Sequence, residues 1–318
     1  MITSPRFCAL VTMVALASAA AAQYPERPIR IIVPFVAGGV TDILSRQLAQ
    51  KITEQTGRAL VVENRGGAGG RIGYEAGVRA LADGYTLTAT DATYTMMPGI
   101  YGKLAWEHAD LVPVALVAQM PFVIAVNAGG KISSLPDLIA QARADPKKLN
   151  YGSSGNGGVN HIVTELFKRT AGAEITHVPY KGMGDALTGL LGGNVDMIIT
   201  AVPTAMGQVK SGRMVALGVT SAARSSALPN VATATESGLP FVASNWFGLT
   251  VPRGTPKDAV DWLQRSVIAA MAVPELRERI VAQGAEPSYL GGDEFGQMIR
   301  SETRRWSDVI RAAGIRGE

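Results

Sequence analysis

The sequence predicts an α/β protein with two lobes, and two observations lead to that fold class. A unit of short apolar strand, glycine turn and helix start occupies Ile29–Asp42 and is repeated at Asn150–His161. The last part of the chain, 256–313, has apolar residues only at helical spacing, so its apolar stripe has to pack on a lobe formed by earlier residues. We therefore expect two α/β lobes in sequence, followed by a helical tail without strands that returns to the first lobe.

Such a return requires the chain to cross between the lobes twice, around 122–127 and around 244–251. The predicted first lobe comprises residues 23–123 and 248–318, and the predicted second lobe comprises residues 124–247. Two crossings form a hinge, and the cleft between hinged lobes is a common place for a ligand.

The strands are predicted from apolar, mostly β-branched runs that are bounded by Gly, Pro, Asn or Asp. Their alternation with helices is typical of a mostly parallel sheet that is covered on both faces. The predicted strands are Ile29–Val33, Ala59–Glu63, Tyr85–Ala89, Val112–Ala118, Phe122–Asn127, Asn150–Gly152, Glu174–Val178, Val195–Thr200, Val215–Thr220 and Phe247–Val251.

The helices are predicted from apolar residues three and four positions apart that follow a capping residue. Thr41 or Asp42 is expected to cap the first helix, and Ser134 a later one, whereas Thr90–Thr95 is expected to be a polar loop. The further predicted helices are Tyr74–Leu81, Leu135–Ala144, His161–Thr170, Asp185–Leu191, Ala205–Lys210, Pro256–Met271, Pro274–Gln283 and Asp293–Ala313.

Residues 1–22 have the pattern of a cleaved secretory signal, with Arg6, the mostly apolar run Ala9–Ala17 and small residues up to Ala22. The only cysteine, Cys8, lies in that signal, so the exported chain is expected to have neither a disulfide nor a cysteine metal ligand. No later segment is apolar over the length that spans a bilayer. We therefore expect a soluble, exported protein whose stability comes from a large core.

Charge and motif spacing exclude several classes of function. The formal net charge is +4, and the basic residues are interleaved with acidic ones, which argues against a nucleic-acid partner. The glycine clusters at 67–73 and 155–160 lack the spacing of a dinucleotide fingerprint, and no phosphate-binding G-x-x-x-x-G-K-[ST] occurs. No metal site and no cofactor are expected, because the three histidines have no ligand spacing, at His108, His161 and His177.

Glycine- and hydroxyl-rich loops at strand ends are the candidate binding elements. In open α/β sheets ligands bind at the carboxyl ends of the strands, and a helix N-terminus there offers N–H groups and partial positive charge to an anion. Lys181 is the one charged residue near such a loop. It is either an ordinary surface lysine or a residue that contacts the ligand, and both interpretations stay open. The candidate loops are Val36–Asp42, Thr90–Tyr94, Ser153–His161 and Thr200–Thr204.

A secreted serine hydrolase is the alternative from another class of function. Ser153 or Ser154 would be the nucleophile and His161 the base. The nucleophile motif G-x-S-x-G is absent, since position 156 is Asn156. His177, in a strand pattern, is interpreted as structural.

Ten stretches in order along the chain resemble one family, the periplasmic solute receptors of tripartite tricarboxylate transporters, often called Bug-type receptors. The resemblance implies a two-lobed periplasmic binding protein, a type II-like Venus flytrap, which closes on a small organic carboxylate and delivers it to a two-subunit membrane carrier. A monomer is expected, and a sensing role, with docking on a membrane kinase, stays open. The stretches are Tyr24–Ile29, Val33–Asp42, Val61–Gly73, Asp83–Leu87, Asn150–His161, His177–Gly182, Leu190–Asp196, Lys210–Arg213, Gly238–Pro240 and Trp246–Gly248.

The resemblance also implies the binding residues, with the ligand carboxylate held by the first glycine loop, partly through ordered water. Val36-Ala37 stands where family members commonly have one or two prolines, so the pocket is expected to differ there. Asp91 either faces away from an anionic ligand or selects a ligand with an amino group. The implied ligand-binding residues are Phe35, Val36, Ala37, Gly38, Gly39, Asp42, Thr90 and Asp91 in the first lobe and Ser153, Ser154, Gly155, Asn156, His161, Thr200 and Val202 in the second.

Overall fold

The computed structural model describes residues 24–316, and the predicted signal at 1–22, with Cys8, lies outside the described residues. Within 24–316 no helix has the length and apolar character needed to cross a membrane. The strands are β1 Ile29–Val33, β2 Leu60–Asn64, β3 Thr86–Thr90, β4 Leu111–Asn127, β5 Asn150–Ser153, β6 Thr176–Pro179, β7 Met197–Ala201, β8 Met214–Val219, β9 Ser244–Pro252 and β10 Glu286–Gly291.

The helices alternate with these strands up to β8, and the last three follow β9. They are α1 Val40–Thr56, α2 Arg71–Val78, α3 Ala92–Tyr101, α4 Leu135–Ala144, α5 Val159–Ala171, α6 Met183–Leu191, α7 Val202–Lys210, α8 Lys257–Met271, α9 Pro274–Ala282 and α10 Gly292–Ala312.

The first half of the sheet has the strand order β2–β1–β3–β9–β4. β1 pairs in parallel with β2 and β3, whereas β9 runs antiparallel to β3 and β4, and β10 pairs antiparallel with β4. Alternate residues of β1 are buried against α1, α8 and α9 on one face, and α2, α3 and α10 cover the other face. Both faces are therefore covered, as the apolar character of these strands predicts.

The second half of the sheet contains β7, β5 and β6 in parallel, with β7 and β8 both antiparallel to the end of β4. The buried residues of α4 and α5 pack on one face, and those of α6 and α7 pack on the other. In both halves the parallel strands end at loops that lead into helices, which places the two sets of loops at the carboxyl ends of the strands.

β4 belongs to both halves and is the first crossing between them. Residues up to Pro121 pair with β9, and residues from Phe122 pair with β7 and β8. The prediction of two separate strands in this region was wrong. Pro121 lacks an N–H, but it lies where β4 changes partners, so the strand continues through a residue that would break a ladder elsewhere.

Thr220 joins the two crossings. The N–H of Phe122 donates to Thr220 Oγ1 at 3.0 Å, and the N–H of Thr220 donates back to the Phe122 carbonyl at 2.9 Å. The N–H of Ala243, one residue before β9, donates to the Thr220 carbonyl at 2.9 Å. The outgoing and returning segments are thus held together by one buried residue.

Three local predictions were wrong. The tail contains a strand, β10, whose sequence EPSYLG lacks alternation because it is a short edge strand paired only with β4. The polar loop predicted at Thr90–Thr95 is largely the start of α3. Helix α1 begins at Val40 with Gly39 as its N-cap, not with Thr41 or Asp42.

Other local predictions were confirmed. The bounds of β1 and α4 agree with the predicted ones. The predicted cap of α4 is present, since Ser134 Oγ accepts a hydrogen bond from the Asp137 N–H at 3.2 Å.

Candidate functional site

A cavity of about 790 Å³ lies between the loops that follow β1, β2 and β3 and the loops that follow β5 and β6. This position, between two sets of strand carboxyl ends, is where open α/β folds bind ligands, and the volume falls in the usual range of small-molecule sites. It is lined from the first half by Phe35, Ala68, Gly69, Thr93, Met97, Ile100 and Tyr101, and from the second by Ser154, Gly155, Asn156, Gly157, Gly158, Val159, Pro179, Tyr180 and Lys181.

The N-terminus of α5 opens directly onto this cavity. Gly158 is the N-cap, and the N–H groups of Val159 and Asn160 have no acceptor among the described residues. The preceding turn needs glycine, because Gly155 and Gly157 have φ of +113° and +70°. A Cβ on Gly158 would lie only 2.8 Å from Ser154 Oγ. The loop therefore presents backbone donors, without side chains in front of them, to whatever occupies the cavity.

Below this loop, a stack of aromatic rings supports the predicted residues Ser153 and His161. His177 lies between Tyr151 and His161, with ring centroids 4.8 and 3.9 Å from theirs. Its Nε2 is 2.6 Å from the buried Ser153 Oγ, and His161 Nδ1 accepts a hydrogen bond from the Gly157 N–H at 3.1 Å. Ser153 and His161 thus hold the loop from beneath and do not line the cavity.

Burial is the main cause that lowers the pKa values of both histidines. Burial, and after it the neighbouring His161 and Lys168, lower the pKa of His177 to about 4, although Glu165 raises it. Burial also lowers the pKa of His161. Both rings are therefore neutral at pH 7, which allows the close stacking and leaves Nδ1 of His161 free to accept the Gly157 hydrogen bond.

The hydrolase arrangement is not formed in this structure. Ser153 is buried and pairs with His177, which the sequence analysis interpreted as structural, and not with His161. Ser154 lines the cavity, but its Oγ donates to Asn160 Oδ1 at 3.1 Å, while Asn160 Nδ2 donates to the Ile199 carbonyl. Neither serine has the nucleophile-to-base contact with His161 that the alternative requires.

The first glycine loop reaches the cavity through Phe35 alone. The N–H of Gly38 donates to Asp42 Oδ2 at 2.9 Å, so one donor of the loop is already used by the protein. Arg46 and Asn64 also donate to the Asp42 carboxylate. Burial raises the pKa of Asp42, but the hydrogen bonds from Arg46, the Gly38 N–H and Asn64 outweigh it and hold the pKa below its ordinary value. Asp42 is therefore an ionised support of the loop.

The other predicted residues of this loop also lie away from the lining of the cavity, namely Val36, Ala37, Gly38 and Gly39. The side chain of Val36 is exposed, with 75% of its surface accessible. The N–H groups of Val40 and Thr41, in the first turn of α1, have no acceptor among the described residues. The loop thus keeps unpaired donors even though its glycines do not border the cavity.

The first N–H groups of α3 are already hydrogen-bonded within the protein. Asp91 Oδ1 accepts hydrogen bonds from the Thr93 N–H and the Tyr74 hydroxyl, each at 2.9 Å, and the Ala92 N–H donates to Asn245 Oδ1 at 3.0 Å. Burial raises the pKa of Asp91 although these hydrogen bonds lower it. Asp91 is buried, caps α3 and does not belong to the lining of the cavity, whereas Thr93 of the same loop does.

Thr90, Thr200 and Val202 are almost fully buried and do not line the cavity. Thr90 Oγ1 donates to the Gly248 carbonyl at 3.3 Å. The start of α7, which follows Thr200, packs beside Gly284, since the backbone of Pro203 is 3.2 Å from the position that a Cβ on Gly284 would take. Thr90, Thr200 and Val202 are thus part of the packed interior and not of the cavity lining.

The lining residues that the sequence analysis missed come mainly from α3 and from the turn before α2. Met97, Ile100 and Tyr101 recur at helical spacing behind Asp91, which is a usable signal once Asp91 is taken as a cap. Ala68 and Gly69 lie in the glycine-rich stretch of 64–73, which the sequence analysis placed between a strand and a helix without assigning it to the site.

Three comparisons agree on the kind of protein. Residues 44–315 match the family model described as tripartite tricarboxylate transporter family receptor. Protein BugT of Bordetella pertussis is 38% identical over 307 residues, which cover 94% of this chain and 93% of that protein.

Two solved structures from Rhodopseudomonas palustris are similar over almost their whole length. Rpa4515, solved with adipate, is 34% identical, with a TM-score of 0.81 and coverage of 92% of this chain and 99% of that one. MatC, solved with bound malate, is 29% identical, with a TM-score of 0.76 and coverage of 90% and 100%. The chain belongs to the tripartite tricarboxylate transporter receptor family and has the two-lobed fold of its periplasmic binding proteins.

Proposed function

We propose that this protein captures a small organic carboxylate in the cavity between its two lobes and hands it to a membrane carrier of the tripartite tricarboxylate type. The observation that carries the proposal is the N-terminus of α5. It borders a cavity of about 790 Å³ through Gly158 and Val159, and the N–H groups of Val159 and Asn160 have no acceptor among the described residues. Backbone donors and the positive end of a helix favour a carboxylate there.

The ligands in the related structures support the same class of solute. Rpa4515 holds adipate and MatC holds malate, and both are organic acids. The predicted residues that line the cavity are Phe35, Ser154, Gly155 and Asn156. We assign ligand contact to these four and to the backbone of Val159 and Asn160, and a supporting role to the remaining predicted residues.

The hinge fits a receptor that opens and closes. The partner exchange of β4 after Pro121 and the bond from Ala243 to Thr220 support lobe boundaries near those predicted, with 23–123 plus 248–318 as one lobe and 124–247 as the other. The proposal includes export by a cleaved signal at 1–22, a periplasmic monomer, a two-subunit carrier as partner and no catalysis. A receptor needs only to bind and release. Ser153, which lies beside His177, is buried, and Ser154 donates to Asn160, so neither serine is paired with His161 at the cavity.

Thermal unfolding of the mature chain with a panel of mono- and dicarboxylates, amino acids and aromatic acids tests this proposal. A ligand that binds only the folded protein stabilises it by about 2.7 kcal/mol at a hundredfold excess over Kd, so the midpoint should rise by several degrees. Methyl esters of the same acids serve as controls. The absence of a shift with every acid, together with the absence of a co-purified acid in mass spectra, would contradict the proposal.

The hydrolase alternative has its own test. Ester and amide assays on the wild type and on His161→Ala should give no turnover above background. Turnover that His161→Ala abolishes would establish the enzyme instead of the receptor.

A further inference from the structure

We propose that Lys181 selects ligands with two acidic groups, by pairing with the second carboxylate of an acid whose first carboxylate lies at the N-terminus of α5. The inference deepens the proposed function and rests on it. Lys181 is the only charged residue among the described residues that line the cavity. It forms no ion pair among residues 24–316. An exposed lysine elsewhere needs no partner, but one at the wall of an anion site offers its charge to the ligand.

The backbone position of Lys181 is fixed relative to the glycine loop. The N–H of Tyr180 donates to the Ser153 carbonyl at 3.1 Å, and the Tyr180 carbonyl lies 3.3 Å from the Cβ position of Gly155. The Tyr180 ring occupies the space left by Gly189, where a Cβ would be 2.3 Å from the hydroxyl. The lysine is therefore attached to a packed residue, and only its own side chain has to be ordered on binding.

A second cation, Arg71, lies next to a residue of the opposite wall. The Arg71 guanidinium is 4.9 Å from the centre of the Tyr101 ring, and that ring lines the cavity. Arg71 itself is exposed and outside the lining, so it adds to the positive field at the mouth without direct contact. Both walls therefore favour anions over neutral or cationic solutes.

The charges of the site also argue against amino acids. An ammonium group forms an ion pair only with an acidic partner, and no acidic side chain belongs to the described lining. Asp91, the nearest candidate in the sequence analysis, is buried and already bonded to Tyr74 and the Thr93 N–H. A 2-amino group would therefore be desolvated beside Lys181, which repels it, without gaining an ion pair.

Calorimetric titration of the wild type with matched ligands gives the first test. Succinate, glutarate and adipate are each compared with the monomethyl ester and with the 2-amino derivative of the same acid. The diacid that binds most tightly should bind about 10- to 100-fold more tightly than its ester, as expected for the loss of a charged hydrogen bond. Its 2-amino derivative should also bind more weakly than the diacid.

The second test measures how tightly variants of the protein bind the same ligands. Lys181→Met should lower the affinity for the best diacid by about tenfold or more and leave that for its monoester within about threefold. Lys181→Arg should retain most of the preference for the diacid. Lys210→Met is the matched control, because Lys210 is an exposed lysine of the same lobe outside the lining. Unchanged melting curves would show that the variants are folded.

The outcomes separate the two proposals. If the wild type binds no acid of any kind, the proposed function fails and this inference with it. If acids bind but esters bind as tightly as diacids, or Lys181→Met leaves the preference unchanged, only the inference fails. Tighter binding of the 2-amino derivatives would overturn it as well. The preference for the diacid should also weaken between about 0.05 and 0.5 M salt, since Lys181 lies at an exposed edge of the cavity.

Discussion

The imidazole rings of His161 and His177 lie parallel beneath the second glycine loop, with centroids 3.9 Å apart and an angle of 18° between their planes. His161 holds the Gly157 N–H, and His177 holds Ser153, so the pair connects the loop to β5 and β6. Glu165 and Lys168 of α5 are the charged groups that act on both rings, Glu165 raising and Lys168 lowering their pKa values. The stack depends on neutral rings, because two imidazolium ions at this distance repel each other.

Stability should therefore fall on acidification between pH 6.5 and about 4. The pKa of His177 is about 4 in the folded protein against 6.5 for the ordinary group, so the unfolded chain binds the proton more readily. The contribution of His177 to the free energy of unfolding is complete above pH 6.5. It is lost as the pH falls towards about 4, the pKa of His177 in the folded protein. Urea unfolding at a series of pH values checks this. His177→Gln, which keeps a polar group, should lose stability less steeply in that window, and an equal slope would contradict the account.

Two of the buried threonines, Thr220 and Thr88, should respond differently to replacement by valine. Thr220 Oγ1 accepts from the Phe122 N–H and donates to the Ala243 carbonyl, whereas Thr88 Oγ1 is buried and has no hydrogen-bond partner among residues 24–316. Thr220→Val should therefore lower the free energy of unfolding by about 1–3 kcal/mol, and Thr88→Val should be neutral or stabilising. Chemical denaturation of both variants measures the difference. Equal losses would mean that Thr220 does not hold the crossings together.

Asp42 should contribute to stability as the acceptor at the start of α1. Its side chain is only 4% exposed and accepts hydrogen bonds from the Gly38 N–H, Arg46 and Asn64. Asp42→Asn replaces an acceptor by a donor in that network and should cost about 1–3 kcal/mol. Asp185→Asn, at an exposed position in the first turn of α6, should cost at most about 1 kcal/mol by loss of the interaction with the helix dipole. If Asp42→Asn lowered the free energy of unfolding no more than Asp185→Asn, the hydrogen bonds to Asp42 would not be stabilising.

Val159→Pro should weaken ligand binding with little effect on folding. Val159 is the first residue of α5, where proline is well tolerated, and Gly158 before it has the extended backbone, φ −68° and ψ 156°, that a following proline requires. The substitution removes one N–H that faces the cavity, so affinity for the best acid should fall about tenfold. Lys257→Pro, at the first residue of α8, is the matched control. Unchanged affinity of Val159→Pro would show that this terminus does not hold the carboxylate.

The sequence predicted the elements whose signals are local. β1 has a continuous β-branched run, and α4 has Ser134 as its cap, so both were placed at their observed bounds. The unity of β4 and the existence of β10 depend on partners far along the chain, which local patterns do not contain. α3 was missed because its first turn is rich in threonine, which favours strands and loops.

The side of the candidate site that the second glycine loop forms could also be predicted from local sequence signals. Glycine loops at strand ends identified the region of Ser154, Gly155 and Asn156, and the cavity lies there. The sequence could not tell that the Asp42 carboxylate occupies the Gly38 N–H or that Asp91 closes α3, since both depend on which donor each carboxylate meets after folding. For the same reason His177, and not His161, was found beside Ser153.

A crystal structure of the mature protein with the diacid that binds most tightly would show directly where the ligand lies. The expected result is an acid between the lobes, with one carboxylate within hydrogen-bonding distance of the N–H groups of Val159 and Asn160 and the other beside Lys181. An acid bound outside the cavity, or one whose carboxylates avoid the N-terminus of α5, would contradict it.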